Sequence, residues 1–176
     1  MRGIYVGRFQ PLHNGHLYCI KQALSRVDEL IIVIAAAQYS HTERNPFTAG
    51  ERYEMLFGTL KEEEISPSRF HIIPAFDIND NALWVYHLKR LVPHFEIAFS
   101  NNSFTTMLFE NAGIRVEHTP LIQRQKFHAT LIREKIKQNE SVDQLVPPFV
   151  ASLLKSIDAT TRLQNASISI DDPRRL

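Results

Sequence analysis

Short apolar runs alternate with helical patterns along most of the chain. Mostly apolar segments predict buried strands at residues 4–7, 30–37, 70–74, 96–100 and 115–118. Apolar positions three and four apart predict helices at residues 16–27, 49–63, 82–91 and 104–111. Because strands that alternate with helices form βαβ units, the pattern predicts an α/β fold with a Rossmann-like, doubly wound parallel sheet.

The pattern changes after Pro120. Two further helices are predicted at residues 130–138 and 148–157, on the C-terminal side of the sheet. Residues 159–176 are largely polar, which is typical of a chain end that is frayed or docked on a partner. We therefore expect one domain over residues 1–158 and a polar tail over residues 159–176.

Composition narrows the class of protein. The chain has 176 residues, of which 44% are hydrophobic and 22% charged, as in ordinary globular domains. The longest apolar run, residues 30–37, is too short to span a membrane, and the N-terminus leads straight into a strand. We expect a soluble, cytoplasmic protein that does not bind membranes. A net charge of +1 argues against a nucleic-acid binder, and no Cys/His spacing typical of a metal site is present.

The most informative segment, G-R-F-Q-P-L-H-N-G-H, follows the first predicted strand at residues 7–16. It sets His13 and His16 three apart where that strand turns into a helix. Free backbone N–H groups and the helix dipole favour an anion there. Each imidazole can donate a hydrogen bond to a phosphate oxygen, and Arg8 adds a planar fork of donors. The segment predicts a phosphate-binding site.

These residues match the H-x-G-H signature of the nucleotidyltransferase superfamily. The longer phrase, G-R-F-Q-P-x-H-x-G-H, resembles the archaeal-type nicotinamide-nucleotide adenylyltransferases, and the resemblance runs from Met1 to about residue 158. It implies that Arg8, His13 and His16 bind the α- and β-phosphates of ATP, with Phe9 beside the substrate.

A second segment, residues 40–52, follows the second predicted strand. Thr48 and Glu51 form the pattern of a capping box, so a helix should begin there, with Arg44 in the loop just before it. The resemblance implies that Arg44 contacts the triphosphate of ATP. We expect Arg52 to pair with a carboxylate in a structural role.

A third segment, residues 77–85, follows the third predicted strand and contains the only tryptophan, Trp84. By spacing alone a single aromatic residue is more often part of the core. The segment resembles the family's D-I-x-x-N-x-x-W motif, which implies that Trp84 stacks on the nicotinamide ring and Asn81 lies near its carboxamide. A pyridinium is a flat cation that an indole face attracts. Asp77 would support the loop or the acceptor ribose.

Ser100, Asn101 and Asn102 follow the fourth predicted strand. They resemble the family's serine-glycine-asparagine turn, in which the backbone approaches ATP. Asn101 stands where the family has glycine, and we expect it to keep the turn because asparagine tolerates a left-handed backbone.

The last motif lies at residues 124–133. It resembles the family's I-S-S/G-T-x-[IV]-R segment, and Thr130 and Arg133 match it position by position. The resemblance implies that Thr130 holds phosphates at a helix start and that Arg133 reaches the β- and γ-phosphates. His128 and Ala129 depart from the pattern, which removes one hydroxyl.

The resemblance implies an enzyme that joins ATP and nicotinamide mononucleotide into NAD and pyrophosphate, with Mg²⁺ arriving on ATP, and a homo-oligomer. Two alternatives remain open from the sequence. One is an adenylyltransferase for another phosphate acceptor, pantetheine phosphate or flavin mononucleotide. The other is a non-catalytic nucleotide sensor with the same fold. The sequence also leaves open the choice between nicotinamide and nicotinic acid mononucleotide.

Overall fold

A five-stranded parallel sheet forms the centre of the computed structural model, which describes residues 1–120 and 127–166. Its strands are β1 (Arg2–Gly7), β2 (Glu29–Ile34), β3 (Phe70–Pro74), β4 (Ile97–Phe99) and β5 (Arg115–Glu117). Their spatial order is β3-β2-β1-β4-β5, and each pair of neighbours runs parallel. This confirms the predicted doubly wound α/β fold. The chain order reverses between β1 and β4, where open parallel sheets bind their ligands.

Helices cover both faces of the sheet. They are α1 (Asn14–Leu24), α2 (Ala49–Glu62), α3 (Trp84–Leu91), α4 (Ser103–Asn111), α5 (Ala129–Lys137), α6 (Pro148–Ser156) and α7 (Ala159–Asn165). One hydrophobic cluster lies between the sheet and α1, α2 and α5–α7, and a second lies between the sheet and α3 and α4. No helix in the described part of the chain is long and apolar enough to cross a membrane.

The chain beyond Asp158 departs from the expected tail. Residues 159–165 form α7, and its Ala159 and Leu163 are buried against the core. Arg162 Nη1 donates to both carboxylate oxygens of Glu51 on α2, at 2.7 and 2.6 Å. Residues 159–165, expected to be part of a polar tail, therefore form a helix that packs on the rest of the fold. Its apolar signal, two residues four apart, spans a single turn and is too short to stand out in the sequence. The remainder of the expected tail, residues 167–176, lies outside the described residues.

Candidate active site

The turn after β1 has an unusual backbone at Phe9. This residue is fully buried and has a left-handed φ of 51°. Its ring lies over Gly7, where an added Cβ would come within 2.7 Å of it, and it contacts the His16 ring edge-on at 5.0 Å between centroids. Gly7 thus leaves room for the Phe9 ring, and that ring packs against His16.

His13 is the N-cap residue of α1. Its Nδ1 accepts a hydrogen bond from the His16 backbone N–H at 3.2 Å. An accepting nitrogen carries no proton, so in the neutral ring the proton is on Nε2. The cap therefore makes His13 Nε2 a hydrogen-bond donor, as binding a phosphate oxygen requires.

The two histidine rings stack on one another, with centroids 3.6 Å apart and planes inclined by 18°. Burial, together with the charge of His128, lowers the pKa of His13 to about 4. Burial, His13 and Arg8 hold the pKa of His16 well below its usual value. Both rings are therefore neutral near pH 7. Within residues 1–120 and 127–166, the buried His16 Nδ1 has no hydrogen-bond partner.

Arg133 lies against the turn between β1 and α1. Arg133, on α5, is buried and donates to the Gln10 carbonyl at 2.9 Å and to Thr130 Oγ1 at 3.3 Å. Burial and the charges of Arg8 and Arg44 lower the pKa of Arg133 to about 10. Like charges that lower one another's pKa lie close together. Arg8 and Arg44 therefore lie within electrostatic range of Arg133, and all three are arginines that the resemblance assigns to phosphate binding.

The start of α5 lies directly against the histidine turn. A Cβ added to Gly15 would come within 3.0 Å of Phe127 Cβ. His128 is the N-cap residue of α5, and its side chain makes no capping hydrogen bond. The N-termini of α1 and α5 thus meet at the same edge of the sheet. The motif over residues 124–133 is described only from residue 127 onward.

Gln10 fastens the loop that carries Arg44. Its Nε2 donates to the Phe47 carbonyl at 2.8 Å, and its Oε1 accepts from the Phe47 N–H at 2.9 Å. The predicted capping box of Thr48 and Glu51 is confirmed, and α2 begins directly after it. The sequence predicts no role for Gln10. Its only signal was its place within the motif.

The expectation that Arg52 pairs with a carboxylate is wrong. In the described residues no carboxylate accepts a hydrogen bond from it, and its fully buried guanidinium donates to backbone carbonyls instead. The helix start lies beneath the ends of β1 and β2, which places carbonyls, not carboxylates, within its reach. The acceptors, with their distances, are Arg8 O (2.9 Å), Ala35 O (3.0 Å), Ala36 O (3.2 Å) and Thr48 O (3.2 Å).

A cavity of about 220 Å³ opens between the ends of β1 and β4. Ser100 and Asn101 line it together with Tyr5 and Thr105. Asn101 Nδ2 donates to Thr119 Oγ1 at 2.8 Å, which turns that side chain toward β5. Asn101 is not among the described residues with a positive φ, so it does not use the left-handed backbone that asparagine tolerates. Asparagine fits here because its side chain bonds the neighbouring strand end.

Trp84 begins α3 and is 9% exposed. Its ring contacts Phe109 edge-on at 5.6 Å, and its indole N–H donates to Asp77 Oδ1 at 3.0 Å. Asn81 is exposed, and its carbonyl accepts from the Trp84 N–H at 3.4 Å. Asp77 also exchanges two hydrogen bonds, both 3.0 Å, with the side chain of Gln38 after β2. The loop after β3 is thus fixed to the loop after β2.

The site is rich in cationic and neutral nitrogen donors rather than in carboxylates. Across residues 1–120 and 127–166, no group of three or more His, Cys, Asp or Glu side chains could hold a metal ion. The donors present fit an anion with many oxygens, such as a polyphosphate.

The chain is similar in sequence to known proteins over nearly its whole length. The sequence model of the cytidylyltransferase-like family matches residues 4–135. Nicotinamide-nucleotide adenylyltransferase of Methanosarcina barkeri is 44% identical over 168 residues, which cover 96% of this chain and 95% of that protein. The chain belongs to the nicotinamide-nucleotide adenylyltransferase family. The enzymes of that name from Thermococcus kodakarensis and Archaeoglobus fulgidus are 39% and 44% identical, over 99% and 95% of this chain and 93% and 98% of their own lengths.

A solved structure shows the same fold. It is a bifunctional NMN adenylyltransferase/ADP ribose pyrophosphatase from Francisella tularensis, in complex with AMP and a manganese ion. It matches 94% of this chain with a TM-score of 0.80 and 22% identity. The chain spans 51% of the length of that protein. The family fold is therefore found within a longer, two-function protein as well.

Proposed function

We propose that this chain transfers the adenylyl group of ATP to nicotinamide mononucleotide, forming NAD and pyrophosphate. The observation that carries the proposal is the meeting of the His13–His16 turn with the Arg133 helix at the carboxyl edge of the sheet, in a chain that belongs to this family. This arrangement places hydrogen-bond donors for a polyphosphate on two adjoining helix starts.

The reaction forms one bond and breaks one bond at the α-phosphorus of ATP. An oxygen of the mononucleotide phosphate attacks that phosphorus, and the bond to the bridging oxygen of pyrophosphate breaks. The attacking phosphate has a second pKa near 6, so it is already largely a dianion at neutral pH. The protein therefore needs no general base, and its task is to align the groups and offset their negative charge.

His13 and His16 would bind the α- and β-phosphates with Arg8. A neutral imidazole can take this role because its one N–H still donates a hydrogen bond to a phosphate oxygen. Arg44 and Arg133 would stabilise the leaving pyrophosphate, and Thr130 would bind a phosphate oxygen at the start of α5. The cluster of like charges around Arg133 supports these assignments, since an anion relieves their repulsion.

The remaining candidates belong to the nucleoside and acceptor ends of the site. Ser100 and Asn101 line the cavity between β1 and β4, which supports a role beside ATP. Phe9 would shape the floor of the site beneath His16. For the nicotinamide end we propose Trp84, Asn81 and Asp77, whose loop is fixed to the neighbouring strand end by the Asp77–Gln38 hydrogen bonds.

Magnesium would enter with ATP as part of the substrate. Mg²⁺ prefers phosphate oxygens and water to a cage made wholly of protein. The donors of this site fit the phosphates, and the triphosphate would itself hold the ion. When bound, the ion would neutralise part of the phosphate charge.

The experiment is an acceptor panel. Purified protein is incubated with ATP and Mg²⁺ and with nicotinamide mononucleotide, nicotinic acid mononucleotide, pantetheine phosphate or flavin mononucleotide, and dinucleotide and pyrophosphate are both quantified. We expect the highest kcat/KM with a pyridine mononucleotide. A better rate with pantetheine phosphate or flavin mononucleotide would move the proposal to that acceptor. ATP binding without turnover on any acceptor would instead favour a nucleotide sensor.

A further inference from the structure

Arg52 has no role in the reaction described above, yet it is the largest fully buried side chain of the protein's described part. A buried charge is normally compensated by an opposite charge. Here its hydrogen bonds go to four backbone carbonyls. Burial and the nearby charge of Arg8 lower the pKa of Arg52 to about 10, so it stays cationic at neutral pH. The arrangement retains a costly buried cation, which calls for a reason.

Three of the four carbonyls that Arg52 binds adjoin two residues with a left-handed backbone. Arg8 O belongs to the peptide that precedes Phe9, whose φ is 51°. Ala35 O and Ala36 O lie on either side of Ala36, whose φ is 50°. Left-handed residues other than glycine are disfavoured and persist where their surroundings hold them. One guanidinium therefore holds both left-handed turns, one after β1 and one after β2.

Both turns lead into the phosphate site. The turn after β1 continues from Phe9 to His13 and His16, and it follows directly on Arg8. The turn after β2 opens the segment that carries Arg44. Arg52 also donates to Thr48 O, at the end of that segment. Its position joins the two chain segments that supply the donors for ATP.

We propose that Arg52 is a positioning residue, whose planar guanidinium fixes the Arg8–His16 turn and the Arg44 loop relative to each other for adenylyl transfer. This inference rests on the proposed function. Arg52 acts through backbone carbonyls and touches no substrate. A small displacement of aligned groups can lower a rate by up to about a hundredfold, so the effect should appear in kcat.

The test is the variant Arg52→Lys, which keeps the charge but cannot span four carbonyls with one ammonium group. Its control is Leu60→Ala, a buried core substitution farther along α2 that loosens the fold without touching either turn. Rates are expressed per folded molecule at a temperature where both variants are folded. We expect kcat of Arg52→Lys to fall about tenfold or more and that of Leu60→Ala to stay within about twofold of wild type. Falls of equal size in both variants, or a smaller fall in Arg52→Lys, would overturn the proposal.

A second pair of variants does not depend on the folding of Arg52→Lys. Ala36→Val disfavours the left-handed φ and so shifts the carbonyls of Ala35 and Ala36, whereas Ala36→Gly leaves that φ accessible. We expect kcat to fall at least about fivefold further in the valine variant than in the glycine variant. Equal rates in the two would overturn the link.

A wild-type control separates this inference from the proposed function. If wild type forms no dinucleotide, the proposed function fails, and the positioning role is then measured by calorimetry with ATP. Weaker ATP binding by Arg52→Lys than by Leu60→Ala, by about fivefold or more, would support the joined turns. Equal ATP affinity in the two variants would overturn the proposed positioning role of Arg52.

Discussion

The two histidines of the β1–α1 turn share one small space, since their rings stack 3.6 Å apart. Two imidazolium ions cannot occupy this arrangement cheaply, and burial already favours the neutral rings. The sequence predicted the pair and its place at a helix start. It could not predict the stack or the cap, because ring orientation depends on the left-handed Phe9 and on Phe127, which lies against Gly15 just before α5.

The pKa of His13 can be tested directly by an NMR pH titration of the histidine ring protons. In the free protein we expect His13 to titrate at about pH 4. A bound polyphosphate favours the charged ring, so adding ATP should raise its pKa and the complex should bind more protons than the free protein. A ring that titrates near its usual value without ATP would contradict the structure.

Removal of His16 should lower turnover without unfolding the protein. Its Nδ1 has no hydrogen-bond partner in the described residues, so His16→Ala removes no hydrogen bond at that atom. Loss of one transition-state donor typically costs about 10²–10³ in rate. We expect a fall of that order in kcat, with the circular dichroism spectrum unchanged. The exposed His94→Ala serves as the matched control and should retain wild-type kcat. Near-normal turnover of a folded His16→Ala would refute its role.

Trp84 belongs to the core and is also the candidate for the nicotinamide ring. Trp84→Phe keeps an aromatic ring but loses the hydrogen bond to Asp77 and part of the ring face. Stacking on a cation is worth roughly 1 kcal/mol. We expect this variant to raise KM for nicotinamide mononucleotide more than KM for ATP, as steady-state kinetics will show. Equal changes in the two constants would indicate a purely structural tryptophan.

At the scale of elements, the sequence predicts a feature well where all of its residues lie within one helix turn. The Thr48–Glu51 capping box was predicted from spacing and is present. Helix α7 was missed, because its stability comes from contacts with α5 and α2 rather than from its own seven residues. A helix of this length is marginal alone, so its sequence pattern is correspondingly weak.

The contact between α7 and α2 predicts a pH dependence of stability. Burial acts to raise the pKa of Glu51, but hydrogen bonds from Arg162 and Thr48 outweigh it and hold that pKa below its usual value. A lowered carboxyl pKa contributes stability above the unfolded value, near 4.3, that is lost as pH falls through the folded value.

The measurement is urea unfolding of wild type and Glu51→Gln from neutral to acid pH. At neutral pH we expect wild type to be about 1–3 kcal/mol more stable, because the variant loses a charged hydrogen-bond pair that is largely buried. The difference should shrink below about pH 4. Arg162→Ala should show a similar loss at neutral pH and the same decline. A difference that does not vary with pH would argue against a charged Glu51–Arg162 pair.

At the scale of the whole molecule, alternation of strands and helices was enough to predict that every motif following a strand would meet at one edge of the sheet. The charges of Arg8 and Arg44 lower the pKa of Arg133, so these three residues, from three separate segments, are close enough to interact electrostatically. That the other motifs share the same site stays a prediction. The hydrogen-bond partners of Arg52 could not be predicted. They depend on the strand order and on two left-handed residues, Phe9 and Ala36, whose residue types do not indicate a positive φ. Homo-oligomerisation stays a prediction, which sedimentation will test.

Adenylyl transfer to a pyridine mononucleotide is tested most directly by following the phosphorus atoms of ATP. The protein is incubated with nicotinamide mononucleotide and Mg²⁺, with ATP labelled at the α-phosphorus in one reaction and at the γ-phosphorus in another. We predict that the α label enters NAD and the γ label enters pyrophosphate in equal amounts. Transfer of the γ label to the mononucleotide would contradict adenylyl transfer. So would a folded protein that leaves both labels in ATP.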